Sequence, residues 1–164
     1  MRPTRRETST TTLPLSESEE AFWRLFARAI LVLPRGLEAD LKSATGLSSA
    51  EYGTLMNLSE APQHQLRMND LANAIALSAS RASRIVDGLE RRGLLVRSRS
   101  EVDGRGQIVT LERSGLERLE GAWPAHLRSV RNRVVGQINP NDIPAVTSAL
   151  SAMLEHAQSE IERK

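Results

Sequence analysis

Apolar residues in the first third of the chain recur at helical spacing. Phe22, Leu25, Phe26, Ala29, Ile30 and Leu33 form one stripe. Ser16 followed by Glu19 reads as a capping box opening that helix, because hydroxyl and carboxylate can each satisfy an N–H left over at a helix start. Pro34 is expected to end it, since proline offers no N–H and crowds the preceding turn. A shorter helical turn around 37–41 leads to Gly46. Ser48 and Glu51 then repeat the capping box ahead of Tyr52, Leu55, Met56 and Leu58, and Pro62 marks the next stop.

Two short helical patterns follow across a tight break, 69–76 and 78–92, with Ser78 the natural N-cap of the second. Beyond Gly93 the period changes. Residues 94–98 and 107–111 are β-favouring runs joined by a polar loop containing Asp103, Gly104, Arg105 and Gly106, a hairpin attached to the helix pair. A third capping box, Ser114 and Glu117, is expected to open a long helix carrying Leu116, Leu119, Trp123, Leu127, Val130 and Val134, with Pro124 a candidate kink. Asn139 and Pro140 supply a cap and a first-turn proline for a last helix with Ile143, Val146, Leu150, Met153, Ala157 and Ile161 on one seam.

The long apolar helices thus lie at the two ends, and the small middle module cannot cover both stripes. A second copy of the chain is the expected cover, with an all-intramolecular bundle as the alternative.

Composition narrows the chemistry. The 164 residues suit one domain with helical extensions, and the absence of cysteine excludes disulfides, thiolate catalysis and cysteine-held zinc. Apolar runs fall far short of the roughly 20 residues of a membrane span, so no membrane partner is expected. Residues 1–15, rich in serine and threonine with Arg2, Arg5 and Arg6, read as a disordered leader. His64, His126 and His156 are far apart and begin no ligand spacing, and no nucleophile motif, phosphate loop or dinucleotide fingerprint occurs. Neither metal, cofactor nor enzymatic activity is expected.

Charge changes the picture through its placement. Net charge is only +2, yet 20 of the 22 basic residues are arginine, and 67–105 holds eight arginines against five acids. In the 78–92 helix, Ala82, Ile85, Val86 and Leu89 make one apolar face, leaving Ser80, Arg81, Ser83, Arg84, Asp87 and Arg91 on the other. Cations at a helix N-terminus oppose the macrodipole, whereas a polyanion docked there would meet N–H groups, dipole and guanidinium groups together. Small serines at 80 and 83 leave room for that helix end in a major groove. Leu71, Ala72, Ile75 and Leu77 ahead of Ser78 complete a helix-turn-helix pattern. Arg97 and Arg99 share one strand face as a second contact, and Arg105 is placed to reach a minor groove, with Asp103 able to pin it.

The stretch LANAIALSASRASRIVDGLERRGLLVRSRSEVDGRGQIVTLERSG, 71–115, resembles the winged helix-turn-helix core of the MarR family of bacterial transcription regulators. The likeness extends to GLSSAEYGTLMNL before it and to the C-terminal helices after it. It departs where Gly104 replaces a common arginine and where Glu112 replaces a frequent threonine. The resemblance implies a mainly α fold with a small β-hairpin wing. Its winged core, 47–112, is flanked by dimerisation helices at 16–46 and 113–164. It implies a cytoplasmic homodimer that binds double-stranded DNA at a pseudo-palindromic operator. Ser80, Arg81, Ser83 and Arg84 would read the major groove, with Asp103 and Arg105 in the wing, and the N-cap Ser78 is a further DNA-binding candidate. It also implies a repressor released by a small aromatic or amphipathic effector, for which Trp23, Phe26, Tyr52 and Met56 are candidate liners, though aromatic and methionine residues at helical spacing are more often plain core. The rival readings are a winged-helix adaptor for protein partners and a small-molecule binder without DNA function.

Overall fold

The structure, a computed structural model, describes residues 13–99 and 106–163. Most of the expected leader, together with Asp103 and Arg105, lies outside the described residues. Helix α1 spans Glu17–Thr45. The Ser16 N–H donates to Glu19 Oε2 at 2.8 Å and the Glu19 N–H to Ser16 Oγ at 3.4 Å, the capping box read from sequence. The expected break at Pro34 does not occur. Ile30 and Pro34 are both exposed, so the carbonyl deprived of its donor is left to solvent. Beyond the proline, tertiary contacts hold the helix: Asp40 accepts from Ser129 Oγ at 2.6 Å and from Arg133 Nε and Nη2 at 2.6 and 2.8 Å. The turn expected at 37–41 is therefore part of α1, which ends at Gly46 with φ 74°.

Helix α2 (Ser49–Glu60) opens with the second capping box, Ser48 and Glu51, and buries Leu55 and Leu58 completely. A tight turn at Pro62–His64, in which Gln63 and His64 both take φ 56°, leads into β1 (Gln65–Arg67), a strand that three residues of alternating polarity did not announce. Then come α3 (Met68–Ala74), α4 (Ala79–Arg91), β2 (Leu95–Arg99) and β3 (Gln107–Leu111). The expected hairpin is thus two-thirds of an antiparallel sheet of order β1-β3-β2, with Val109 facing Leu66 on one side and Arg97 on the other. Leu47, Leu55, Leu58, Leu71, Val86, Leu89 and Val109 form the fully buried centre where α2, α3, α4 and this sheet meet.

Between α3 and α4 the chain turns in four residues. Ala76 takes φ 51°, so that the Leu77 N–H reaches the Ala72 carbonyl and the Ala76 N–H the Asn73 carbonyl, each at 3.0 Å. These bonds satisfy carbonyls that α3 would otherwise leave open.

Helix α5 (Arg113–Arg133) runs unbroken through Pro124 and packs along the second half of α1. Its expected cap is corrected. Glu112 holds the N-cap position without a side-chain bond, while Ser114 Oγ donates to the Gly93 carbonyl at 2.6 Å and Glu117 pairs with Arg113 at 2.9 Å. The Glu112 N–H donates to the Leu94 carbonyl at 3.1 Å. Anchoring to the end of the α4 turn thus displaces the local cap. Helix α6 (Ile143–Glu162) also begins later than expected: Asn139 Oδ1 accepts from the Asn141 N–H at 3.0 Å in the preceding turn, and Pro144, not Pro140, lies in the first helical turn. Phe22, Trp23, Leu25 and Leu31 on α1 and Val146, Leu150, Met153 and Leu154 on α6 are exposed. No helix among the described residues is long and apolar enough to cross a membrane.

Gly115 shows how closely α5 approaches the turn after α4. A Cβ added there would meet the Leu94 carbonyl oxygen and, at 2.7 Å, Leu111 Cδ1. Gly115→Ala should destabilise the protein by about 2 kcal/mol, lowering the melting midpoint by roughly 4–8 °C in a chain of this size. A midpoint within one degree of wild type would contradict this close approach.

Candidate nucleic-acid interface

Ser78 caps α4 as expected, its Oγ accepting from the Arg81 N–H at 3.4 Å and lying 3.3 Å from Ser80 Oγ. Ala82, Val86 and Leu89 are fully buried against α2 and α3, which fixes the outward face. On that face Ser80, Arg81, Arg84 and Arg91 are exposed, and Ser83 and Asp87 are half-buried. No acid occupies the first turn.

Comparison with the other capped helices is informative. In α1 and α2 a serine N-cap is followed at the third helical position by glutamate; in α4 the same serine is followed there by Arg81. Glutamate at this position accepts the N-cap N–H and suits the positive end of the dipole, whereas arginine does neither. Arg81 and Arg84 make no ion pair or hydrogen bond among the described residues. Glu38 borders the same cleft of about 420 Å³, but its Oε2 already accepts the Ser49 N–H at 2.6 Å. Two guanidinium groups and the front of a helix are therefore open to an external anion.

The wing residues divide. Arg99 is exposed at the end of β2, opposite Gln107. Arg97, expected to reach outward beside it, is instead engaged within the protein, pairing with Asp87 at 2.7 Å and Glu90 at 2.6 Å. Spacing put both arginines on one strand face correctly, but it could not register that α4 passes close to the inner one. Hydrogen bonds from Arg97 hold the Glu90 carboxyl below its usual range, and Glu90 in turn raises Arg97. Arg92 is another contributor that spacing missed: its Nη1 lies 2.6 Å from Glu51 Oε1 and ties the end of α4 to the start of α2.

The four candidate effector liners are not brought together. Tyr52 borders a cavity of about 460 Å³ with Pro34, Leu37, Leu41, Ser49 and His126. Its ring is buried and stacked on His126 at 4.5 Å, and its buried hydroxyl has no hydrogen-bond partner among the described residues. Burial raises the Tyr52 pKa and lowers that of His126. Met56, one turn further along α2, borders a separate hollow with Leu116, Leu119 and Trp123. Trp23 is exposed beside Phe26, ring centroids 6.4 Å apart, on the opposite end of α1. Because α1 continues through Pro34 as one rod, its first turns are carried away from the cavity.

A family model described as the MarR family matches residues 45–106. The crystal structure of AbsC, a MarR family transcriptional regulator from Streptomyces coelicolor, is 34% identical, with 90% of this chain and 99% of that one covered at a TM-score of 0.82. This chain belongs to the MarR family. Another MarR family regulator of that organism, Sco3205, solved in complex with DNA, is 29% identical over 90% of this chain and 92% of its own, at a TM-score of 0.83. The Bacillus subtilis transcriptional repressor YetL is 31% identical over 85 residues, which is 52% of this chain and 51% of that protein. As a MarR family member the chain is a transcriptional regulator and not an enzyme.

Within this MarR family fold the unpaired arginines lower the stability of α4. Arg81→Glu would complete the capping box found on α1 and α2. It should stabilise the protein by about 1 kcal/mol and raise the melting midpoint by roughly 2–4 °C. A lower midpoint would reveal a partner for Arg81 within the protein.

Proposed function

We propose that this chain is a cytoplasmic homodimeric repressor that binds double-stranded DNA at a pseudo-palindromic operator and is released by a small aromatic or amphipathic molecule. The observation that carries the reading is the front of α4: exposed Arg81 and Arg84, unpaired among the described residues, where helix stability favours acids. Ser80 and Ser83 beside them keep that end narrow enough for a major groove. Arg99 extends the cationic surface along β2, and Asp103 and Arg105, outside the described residues, complete the proposed set of DNA-binding residues. The repressors among the relatives and the DNA-bound Sco3205 support the same reading.

Homodimerisation rests on the apolar residues that α1 and α6 leave exposed. Two copies joined through the ends of the chain would present two α4 helices, and half-sites about one helical turn apart suit that symmetry. For the effector, the cavity beside Tyr52 is the preferred site. Mainly apolar walls, with the Tyr52 and His126 rings at one side, suit a flat aromatic molecule.

Purified protein titrated against genomic fragments should retain a small subset, and sequencing that subset identifies the operator. On it, Arg84→Ala should weaken operator binding by roughly tenfold and nonspecific binding by less, as expected of a base-edge contact. Equal losses on both would make Arg84 a phosphate clamp, and no retained fragment would end the DNA reading. In a thermal-shift screen of aromatic acids, a compound that stabilises wild type should lose its effect in Leu37→Trp, which fills the cavity. An unchanged shift would move the effector elsewhere.

A further inference from the structure

Arg97 lies at the middle of β2, opposite Val109, and β2 is an edge of the sheet. Edge strands leave alternate N–H groups without a ladder partner, and such groups need another acceptor. The Arg97 N–H donates to Glu90 Oε1 at 3.0 Å, while Arg97 Nε and Nη2 donate to Glu90 Oε2 at 3.0 and 2.6 Å. Nη1 reaches Asp87 Oδ1 at 2.7 Å. Asp87 and Glu90 stand three residues apart on one face of α4, so a single side chain spans most of a helical turn. That side chain is 24% exposed, which shields its pairs from solvent better than the i,i+4 pairs on α1 and α5.

This arrangement has geometric and electrostatic effects. The strand is bound to the helix by backbone and side chain of one residue, only a few residues after α4 ends, so the direction in which the hairpin leaves α4 is fixed at its base. In addition, the guanidinium offsets one of the two carboxylate charges on the helix that carries Arg81 and Arg84, which lessens the repulsion of an approaching polyanion. Three of its five guanidinium N–H groups are committed to Glu90 and Asp87, which hold the fork against α4.

We infer that Arg97 is a positioning residue for DNA binding: its fork on Asp87 and Glu90 sets the wing against the recognition helix, and it does not itself touch nucleic acid. The inference rests on the DNA-binding reading above. It is tested with full-length wild type, Arg97→Met and Arg97→Lys on a duplex cut from the retained fragments, at several salt concentrations and at a temperature where all three are folded. Arg97→Met should lower affinity roughly tenfold, comparable to one lost base contact, without changing the slope of log K against log salt. Arg97→Lys should not restore affinity, because an ammonium keeps the charge but not the planar fork. A slope reduced by about one unit would make Arg97 a phosphate contact, and either wild-type affinity in Arg97→Met or full rescue by lysine would also overturn the proposal. If Arg97→Met does not fold, the lysine variant alone decides. Hydrogen exchange of the free protein supplies a readout independent of DNA. Amides of β2 and β3 should lose protection in the variants while those of α4 keep it. Should wild type retain no duplex, the DNA reading fails by itself, and unchanged β2 and β3 protection would then sink the strut as well.

Discussion

The positive end of α4 carries positive side chains, and much of the molecule is arranged around holding that unfavourable combination steady. Each exposed cation near a helix N-terminus costs about 0.3–1 kcal/mol. The cost is tolerable because the opposite face of α4 buries Ala82, Val86 and Leu89 completely, and each large apolar side chain so buried contributes about 1.5–3 kcal/mol. The hydrophobic side of the helix therefore fixes where the charged side points. What the front loses in local stability is offset by packing behind it.

Ion pairs reinforce this geometry where packing thins out. Arg92 on Glu51 and Arg97 on Asp87 and Glu90 bind the far end of α4 to α2 and to the sheet. Asp40 does the same for the helical layer, drawing Ser129 and Arg133 of α5 onto α1 just past Pro34. The hydrogen bonds from Arg133 and then from Ser129 hold the Asp40 carboxyl well below its usual range. Each of these carboxylates thus has a cation assigned to it within the protein. Arg81 and Arg84 stand apart: Glu38 borders their cleft but makes no ion pair with either among the described residues.

Hydrophobic period and cap chemistry made most of the helical plan legible in sequence, because both are local: Ser16 with Glu19, Ser48 with Glu51, and Ser78 mark helix starts where the structure has them. Sequence reading failed where a distant contact overrules a local preference. Pro34 does not stop α1, since α5 holds the helix beyond it. Ser114 does not cap α5, since the Gly93 carbonyl claims its hydroxyl. Strand β1 escaped notice because three residues carry too little alternation to register, and only pairing with β3 makes them a strand. Among the candidate site residues, the exposure of Arg81 and Arg84 at an acid-free helix start was readable because a helix dipole is a property of the segment itself. The internal pairing of Arg97 was not readable because its partners come from another element.

The elbow between α3 and α4 has a mechanical meaning. Ala76 holds a left-handed backbone with φ 51°, a conformation that costs an alanine about 1–2 kcal/mol and that glycine would enter freely. Glycine would also enter many other conformations, and alanine does not. With carbonyls of α3 tied to the N–H groups of Ala76 and Leu77, the joint behaves as a stiff bracket, not a swivel. Any force applied to α3 is therefore delivered to the arginines of α4 as rotation of one solid piece, with little of it absorbed at the corner.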